Sequence, residues 1–199
     1  ATQPLIFEPD KEIKEIIPNY KHYFKTFNRT KIINRIKEEI TTTEFITVIE
    51  DYLFNNPQKD ILIILNTKKA ALNCFNDLKY KIDDANNEIY YLSTLKTPFE
   101  RKRIISKIKD KNIKKRKIII STQLVEAGVD ISVSTVFREI APLDAIIQSA
   151  GRANRYSEND KISEVYVFKI EELLLNTRKV YGSILINKTE RVLNQYDEI

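Results

Sequence analysis

Apolar residues along this chain follow two spacings. Phe45, Val48, Ile49, Tyr52 and Leu53 recur three and four residues apart, which predicts an amphipathic helix over Thr43 to Asn55, closed by Asn55-Asn56-Pro57. Ile61 to Leu65 is instead a short continuous apolar run, the pattern of a strand buried on both faces. Helical spacing returns over Thr67 to Lys81, with Ala70, Ala71, Cys74, Phe75 and Leu78 inward. Ile89 to Leu92 is a second strand. Thr97-Pro98, a side-chain cap followed by proline in the first turn, opens a helix to about Lys109, with Ile104, Ile105 and Ile108 inward. Further strands are predicted at Lys117 to Ser121, Thr135 to Ile140 and Val165 to Ile170. The tail from Glu171 is helical in pattern, carrying Leu173, Leu174, Ile184, Leu185 and Val192. Strands alternating with helices predict an α/β fold, a mostly parallel central sheet with helices on both faces.

Composition narrows this picture. The 199 residues suit one sizeable domain, and 42% hydrophobic with 31% charged residues is ordinary for a globular protein. No apolar run is long enough for a membrane span, and no basic-then-apolar signal segment opens the chain, so no membrane partner and a cytoplasmic setting are expected. A single cysteine, Cys74, excludes an internal disulfide and a multi-cysteine zinc site, and reads as a buried apolar residue. The net charge of +5 permits a nucleic-acid partner without demanding one. Lys109 to Lys117 (KDKNIKKRK) is the densest basic run and reads as a solvated loop between helix and strand. The absence of methionine and the opening Ala read as a piece of a longer product.

Candidate chemistry concentrates between Ile118 and Tyr156. Ile118-Ile119-Ile120 runs into Ser121-Thr122, then Gly128-Val129-Asp130, then Gln148-Ser149-Ala150-Gly151-Arg152-Ala153-Asn154-Arg155. At about 100° per residue, Gln148, Arg152 and Arg155 share one helix face, and Leu143, Ile146, Ile147 and Ala150 the opposite one. One face would anchor in a core while the other offers two guanidiniums, the groups suited to forked recognition of phosphate oxygens. Gly128 is placed to end a short helix in the left-handed conformation that glycine tolerates best, turning Asp130 back toward a cleft. Bland readings stand beside these: a solvated arginine face, an ordinary strand–turn–helix at Gly128, and helix capping by Thr67 and Thr97. The sequence has three glycines and no G-x-x-x-x-G-K-[ST] loop, so any nucleotide chemistry needs a second set of residues.

Over about forty positions these blocks resemble motifs V and VI of superfamily 2 helicases, in the form carried by the CRISPR-associated helicase of type I systems. STQ-x-x-E-A-G-V-D-I is followed by A-P-L-D and by I-Q-x-A-G-R-x-N-R. Ile64-Leu65-Asn66-Thr67 resembles motif IV, and Leu92-Ser93-Thr94 before Thr97-Pro98 resembles the L-S-T segment of that family. The likeness extends more loosely upstream to Ile17-Pro18-Asn19-Tyr20 and Tyr23-Phe24.

The resemblance implies a RecA-like three-layer sandwich that is the second motor domain of a helicase acting on single-stranded DNA. Residues 1–40 would lead in from a first RecA-like domain, present in cis or trans. Residues 41–170 would form the domain, and 171–199 a helical extension. ATP and Mg²⁺ would be held mainly by that first domain. Arg155 would be the arginine finger, Arg152 a second phosphate contact, and Gln148 would orient water or link the γ-phosphate to the nucleic-acid site. Gly128 shapes the nucleotide side, and Asp130 would meet the ribose or the arginines. Asn66, Thr67, Ser93, Thr94, Ser121 and Thr122 would contact the nucleic-acid backbone. Ser149 stands where many relatives carry Arg. An HD-type nuclease and a CRISPR surveillance complex are the implied partners. With His22 the only histidine, the nuclease's metal ligands cannot lie in this chain. Two rival readings are a non-catalytic helicase-like binding module and a subunit of a restriction-type or RNA helicase.

Overall fold

A computed structural model describes residues 29–126, 128–155 and 162–198. In chain order the elements are β1 (Thr30–Ile40), α1 (Thr42–Asn55), β2 (Ile61–Ile64), α2 (Lys68–Lys81), β3 (Asn87–Leu92), α3 (Pro98–Lys109), β4 (Arg116–Ser121), a single 3₁₀ turn (Gln123–Val125), β5 (Thr135–Glu139), α4 (Leu143–Ala150), β6 (Ser163–Ile170), α5 (Glu171–Tyr181) and α6 (Ser183–Leu193). The strands form one sheet in the order β1-β6-β5-β2-β4-β3, and every neighbouring pair is parallel. This is the α/β arrangement that the alternation of elements predicts, and it agrees with the RecA-like fold that the resemblance implies.

The two faces of the sheet are legible in β2. Ile61 and Ile63 enter a core with Phe45, Ile49 and Leu53 of α1 and Ala71, Cys74 and Leu78 of α2. Leu62 and Ile64 enter the opposite core, with Ile108 of α3, Val129, Ile131 and Ala150. A third cluster joins Ile36 of β1, Ala145 and Ile146 of α4, and Ile186 and Leu193 of α6. Successive side chains of a strand point to opposite faces, so an all-apolar strand requires cover on both. Cys74 lies within the first core, and burial pushes its thiol up to about 12.

Helix starts follow the sequence closely. Thr41 and Thr97 each cap a helix through a reciprocal box with Glu44 and Glu100, satisfying first-turn amide donors. Thr67 accepts from the Ala70 amide at the head of α2. At the other end of the chain, Gly182 takes a φ of +84 and divides the helical tail into α5 and α6.

Three expectations need correction. Residues 30–40, read as part of a lead-in, form β1, paired with β6 at the sheet's edge. Only Asn34 and Ile36 are buried there, so the charges of an edge strand conceal its period. The tail from 171 is helical, as its pattern predicts, and packs onto the domain through Thr177, Ile186 and Leu193. Asn34 secures its end by donating from Nδ2 to the Leu193 and Tyr196 carbonyls. Val48, predicted inward, is 37% exposed, and Ile46 takes the buried position. Within the basic run, Lys117 is buried, its Nζ donating to the Ile108 and Asp110 carbonyls at the end of α3. His22 and the aromatic segment around Tyr20 lie outside the described residues.

Candidate functional site

The predicted helix with three polar heads does not form. α4 ends at Ala150 with Gly151 as its cap, and the chain continues in tight turns from Arg152 to Ser149 and from Ala153 to Ala150. Ala153 then bridges Val133 in parallel, and Asn154 takes a φ of 47. Arg152 and Arg155 therefore leave the face that carries exposed Gln148. The inward face of α4 is Ala145, Ile146, Ser149 and Ala150, while Ile147 is 62% exposed rather than inward.

The bridge draws the motif V and motif VI segments together. The Val133 amide donates to the Arg152 carbonyl, and the Asn154 amide to the Val133 carbonyl. The Arg155 amide donates to Ser132 Oγ at 3.0 Å. Arg155 Nε lies 3.2 Å from Asp130 Oδ1, and Lys109 Nζ lies 2.9 Å from Asp130 Oδ2. Gly128 begins this excursion at a φ of +75, as expected from its sequence context. Arg155 and Asp130 remain open to solvent, and a groove lined by Asp60, Lys109, Lys117, Asp130 and Ser132 opens beside them. Arg152 is different. It is 8% exposed, and its Nη2 donates to the Glu126 carbonyl at 2.6 Å.

The second group of predicted residues gathers at the carboxyl ends of β2, β3 and β4. Their exposures differ. Ser121 is buried and donates to the Leu92 carbonyl, and buried Ser93 accepts from the Leu95 amide. Asn66 is 3% exposed, and its Nδ2 donates to the Ile140 carbonyl and to Thr177 Oγ1. Thr122 is 5% exposed with no side-chain cap bond. Thr67 is half-buried at its cap, and Thr94 is exposed.

Between these groups lies a buried polar cluster that sequence reasoning missed. Arg138 is fully buried in β5, with Nη2 2.8 Å from Glu126 Oε1. Its Nη1 donates to Asn66 Oδ1 and to the Glu139 carbonyl, and Nη2 donates to the Tyr181 hydroxyl at 3.1 Å. Ser149 Oγ donates to the Ala145 carbonyl and, at 3.4 Å, to Glu126 Oε1. The Glu139 carboxylate accepts from the Asn66 amide and from the Thr177 hydroxyl. Burial holds both Glu126 and Glu139 above the usual carboxylate range, with Arg138 pulling the other way. The signal was present in the sequence: Arg138-Glu139 is a charged pair directly after Val136-Phe137 in a strand expected to be covered on both faces, and buried charges demand partners.

Comparison with known proteins places the fold. Residues 57–158 match the family described as CRISPR-associated nuclease/helicase Cas3, C-terminal. The chain belongs to that family. The Cas3 nuclease/helicase of Methanothermobacter thermautotrophicus is 25% identical over 183 residues, covering 88% of this chain and 21% of that protein. A Cas3 nuclease/helicase from Haloferax volcanii is 61% identical over a 41-residue segment, 21% of this chain and 4% of that protein. The Cas3-like domain thus spans about a fifth of the length of the relative it matches over most of its own length. Its fold is shared with the crystal structure of T. fusca Cas3-AMPPNP, at a TM-score of 0.73 and 21% identity over 85% of this chain and 22% of that one. S. cerevisiae Dbp5 bound to RNA and ADP BeF3 is more distant, at a TM-score of 0.56 and 18% identity over 83% of this chain and 44% of that one. The Cas3-like domain is therefore a helicase-family domain of RecA-like fold.

Proposed function

We propose that this chain supplies the second motor domain of an ATP-dependent helicase that moves on single-stranded DNA during CRISPR interference. The observation that carries the reading is the solvent-facing pair of Arg155 and Asp130, presented where motifs V and VI are bridged. ATP with Mg²⁺ supplies the γ-phosphoryl group whose transfer to water drives movement. The residues present fit a contribution from across a domain boundary. The sequence has no phosphate-binding loop, and no group of His, Cys, Asp or Glu among the described residues could hold a metal ion. Arg155 reaches the γ-phosphate as an arginine finger and offsets charge that grows in the transition state. Arg152, held by the Glu126 carbonyl, stands behind it as the second cation. Gln148, exposed on α4, lies apart and acts on water or on the link to the bound strand.

Thr67, Thr94 and Thr122 contact the phosphates of the strand, with Asn66, Ser93 and Ser121 shaping the strand ends from within. Such contacts are independent of base sequence and weaken as salt rises. The first RecA-like domain, an HD-type nuclease and a CRISPR surveillance complex are the partners this reading requires. Reconstitution tests it. The chain alone should show negligible ATPase, and adding the first motor domain with single-stranded DNA should restore turnover. Robust ATPase from the isolated chain would overturn the assignment.

A further inference from the structure

Arg138 touches neither Arg155 nor the threonines at the strand ends, yet it lies on a path between Arg152 and Asn66. Arg152 Nη2 donates to the Glu126 carbonyl at 2.6 Å, and the Glu126 carboxylate pairs with Arg138 at 2.8 Å. Arg138 in turn donates to Asn66 Oδ1, at the end of β2 and next to Thr67. This is one continuous path from motif VI to the strand-facing edge. A buried ion pair is weak evidence for stability, because two charges leave water to form it. Its distinctive property is geometric: a planar guanidinium fixes several acceptors at set angles, so none shifts without the others.

The abutment for this fork is α5. Tyr181 accepts from Arg138 Nη2 at 3.1 Å. Thr177 accepts from Asn66 Nδ2 at 3.0 Å and donates to the buried Glu139 carboxylate. We propose that Arg138 is a positioning residue that couples the bound-strand edge to Arg152, and that Thr177 and Tyr181 of α5 hold it in register. The helical tail is then part of the motor. The inference rests on the motor reading above and deepens it.

The test uses the full-length enzyme that contains this domain, assayed where circular dichroism shows each variant folded. Thr177→Val keeps the shape and removes the hydroxyl, whereas Thr177→Ser keeps the hydroxyl and loses a methyl. Single-stranded-DNA-stimulated ATP turnover should fall about three- to ten-fold in Thr177→Val and in Tyr181→Phe, the loss expected when one buried hydrogen bond no longer sets a geometry. Thr177→Ser should stay near wild type, and single-stranded DNA affinity by fluorescence anisotropy should be unchanged in all three. A stimulated Thr177→Val enzyme with a failing Thr177→Ser would show that packing alone matters and would overturn the coupling role. Equal losses in both, proportional to lowered melting temperature, would also overturn it. A wild-type enzyme with no DNA-stimulated turnover would instead remove the motor reading itself.

Discussion

Arg155 and Asp130 meet Nε to Oδ1 at 3.2 Å, while Lys109 Nζ sits 2.9 Å from the other oxygen of the same carboxylate. One exposed carboxylate thus orients the proposed finger while a second cation shares its charge. In the reconstituted enzyme, Arg155→Ala should lower ATP turnover by about 10³-fold or more, with single-stranded DNA binding retained. Asp130→Asn should cost about 10- to 100-fold, since the finger stays but loses its orientation. Steady-state ATPase with a parallel DNA-binding titration checks both. Unchanged turnover in the Arg155 variant would end its finger role.

The Glu126–Arg138 pair makes a prediction about stability that is separate from turnover. Glu126→Ala leaves a fully buried guanidinium without its carboxylate and should destabilise the fold by about 3–5 kcal/mol. Replacing both residues with Met fills similar space without charge and should recover most of that loss. Denaturant unfolding measures the two directly. A single-variant cost below about 1 kcal/mol would mean that water or a neighbour already compensates Arg138.

Burial raises Glu139 above its ordinary range, so the folded state binds this proton more tightly than the unfolded chain. The resulting stabilisation is complete on the acid side and is lost as pH rises through the raised folded pKa, beyond which it is flat. Glu44 and Glu100 have the opposite sense. Their Thr41 and Thr97 caps lower them, and that stabilisation is lost as pH falls. Glu139→Gln mimics the protonated carboxyl, so its melting temperature relative to wild type should rise as pH is raised from the ordinary carboxylate range toward neutrality. A difference that is flat across that range would show that Glu139 stays ionised in the fold.

Gly128 adopts a φ of +75, and a Cβ built there meets nothing within 4 Å. The penalty for a side chain is then one of backbone conformation, about 1–2 kcal/mol for Ala, and smaller for Asn, which tolerates this region better. Gly128→Ala and Gly128→Asn unfolding curves should fall in that order. Equal stability of all three proteins would show that the segment relaxes out of the left-handed conformation.

Much of the architecture was readable from spacing. Ile61 to Ile64, the capped helices at Thr67 and Thr97, and the left-handed Gly128 all rest on local rules that packing does not reverse. The failures share a different cause. β1 hides its period because an edge strand exposes one side to water and carries charges there. The helix through Gln148, Arg152 and Arg155 obeys the angular rule, but the bridge from Ala153 to Val133 terminates it at Gly151. That bridge depends on residues twenty positions apart. Asn66 shows the same limit within the site. Its position at a strand end was legible, whereas the occupation of its amide by Thr177, from α5, was not.

The clasp made by Asn34 has a consequence for self-association. β1 would otherwise present a row of unpaired amides and carbonyls, a template on which another copy could add a strand. The returning tail covers part of that row: the Asn34 amide donates to the Asp197 carbonyl, and Ile33 bridges Glu198 antiparallel. Lys31 and Lys37 fasten it by pairing with Glu198 and Asp197. The segment that follows α6 thus closes part of the sheet edge, occupying backbone groups on which an edge-to-edge contact would otherwise build.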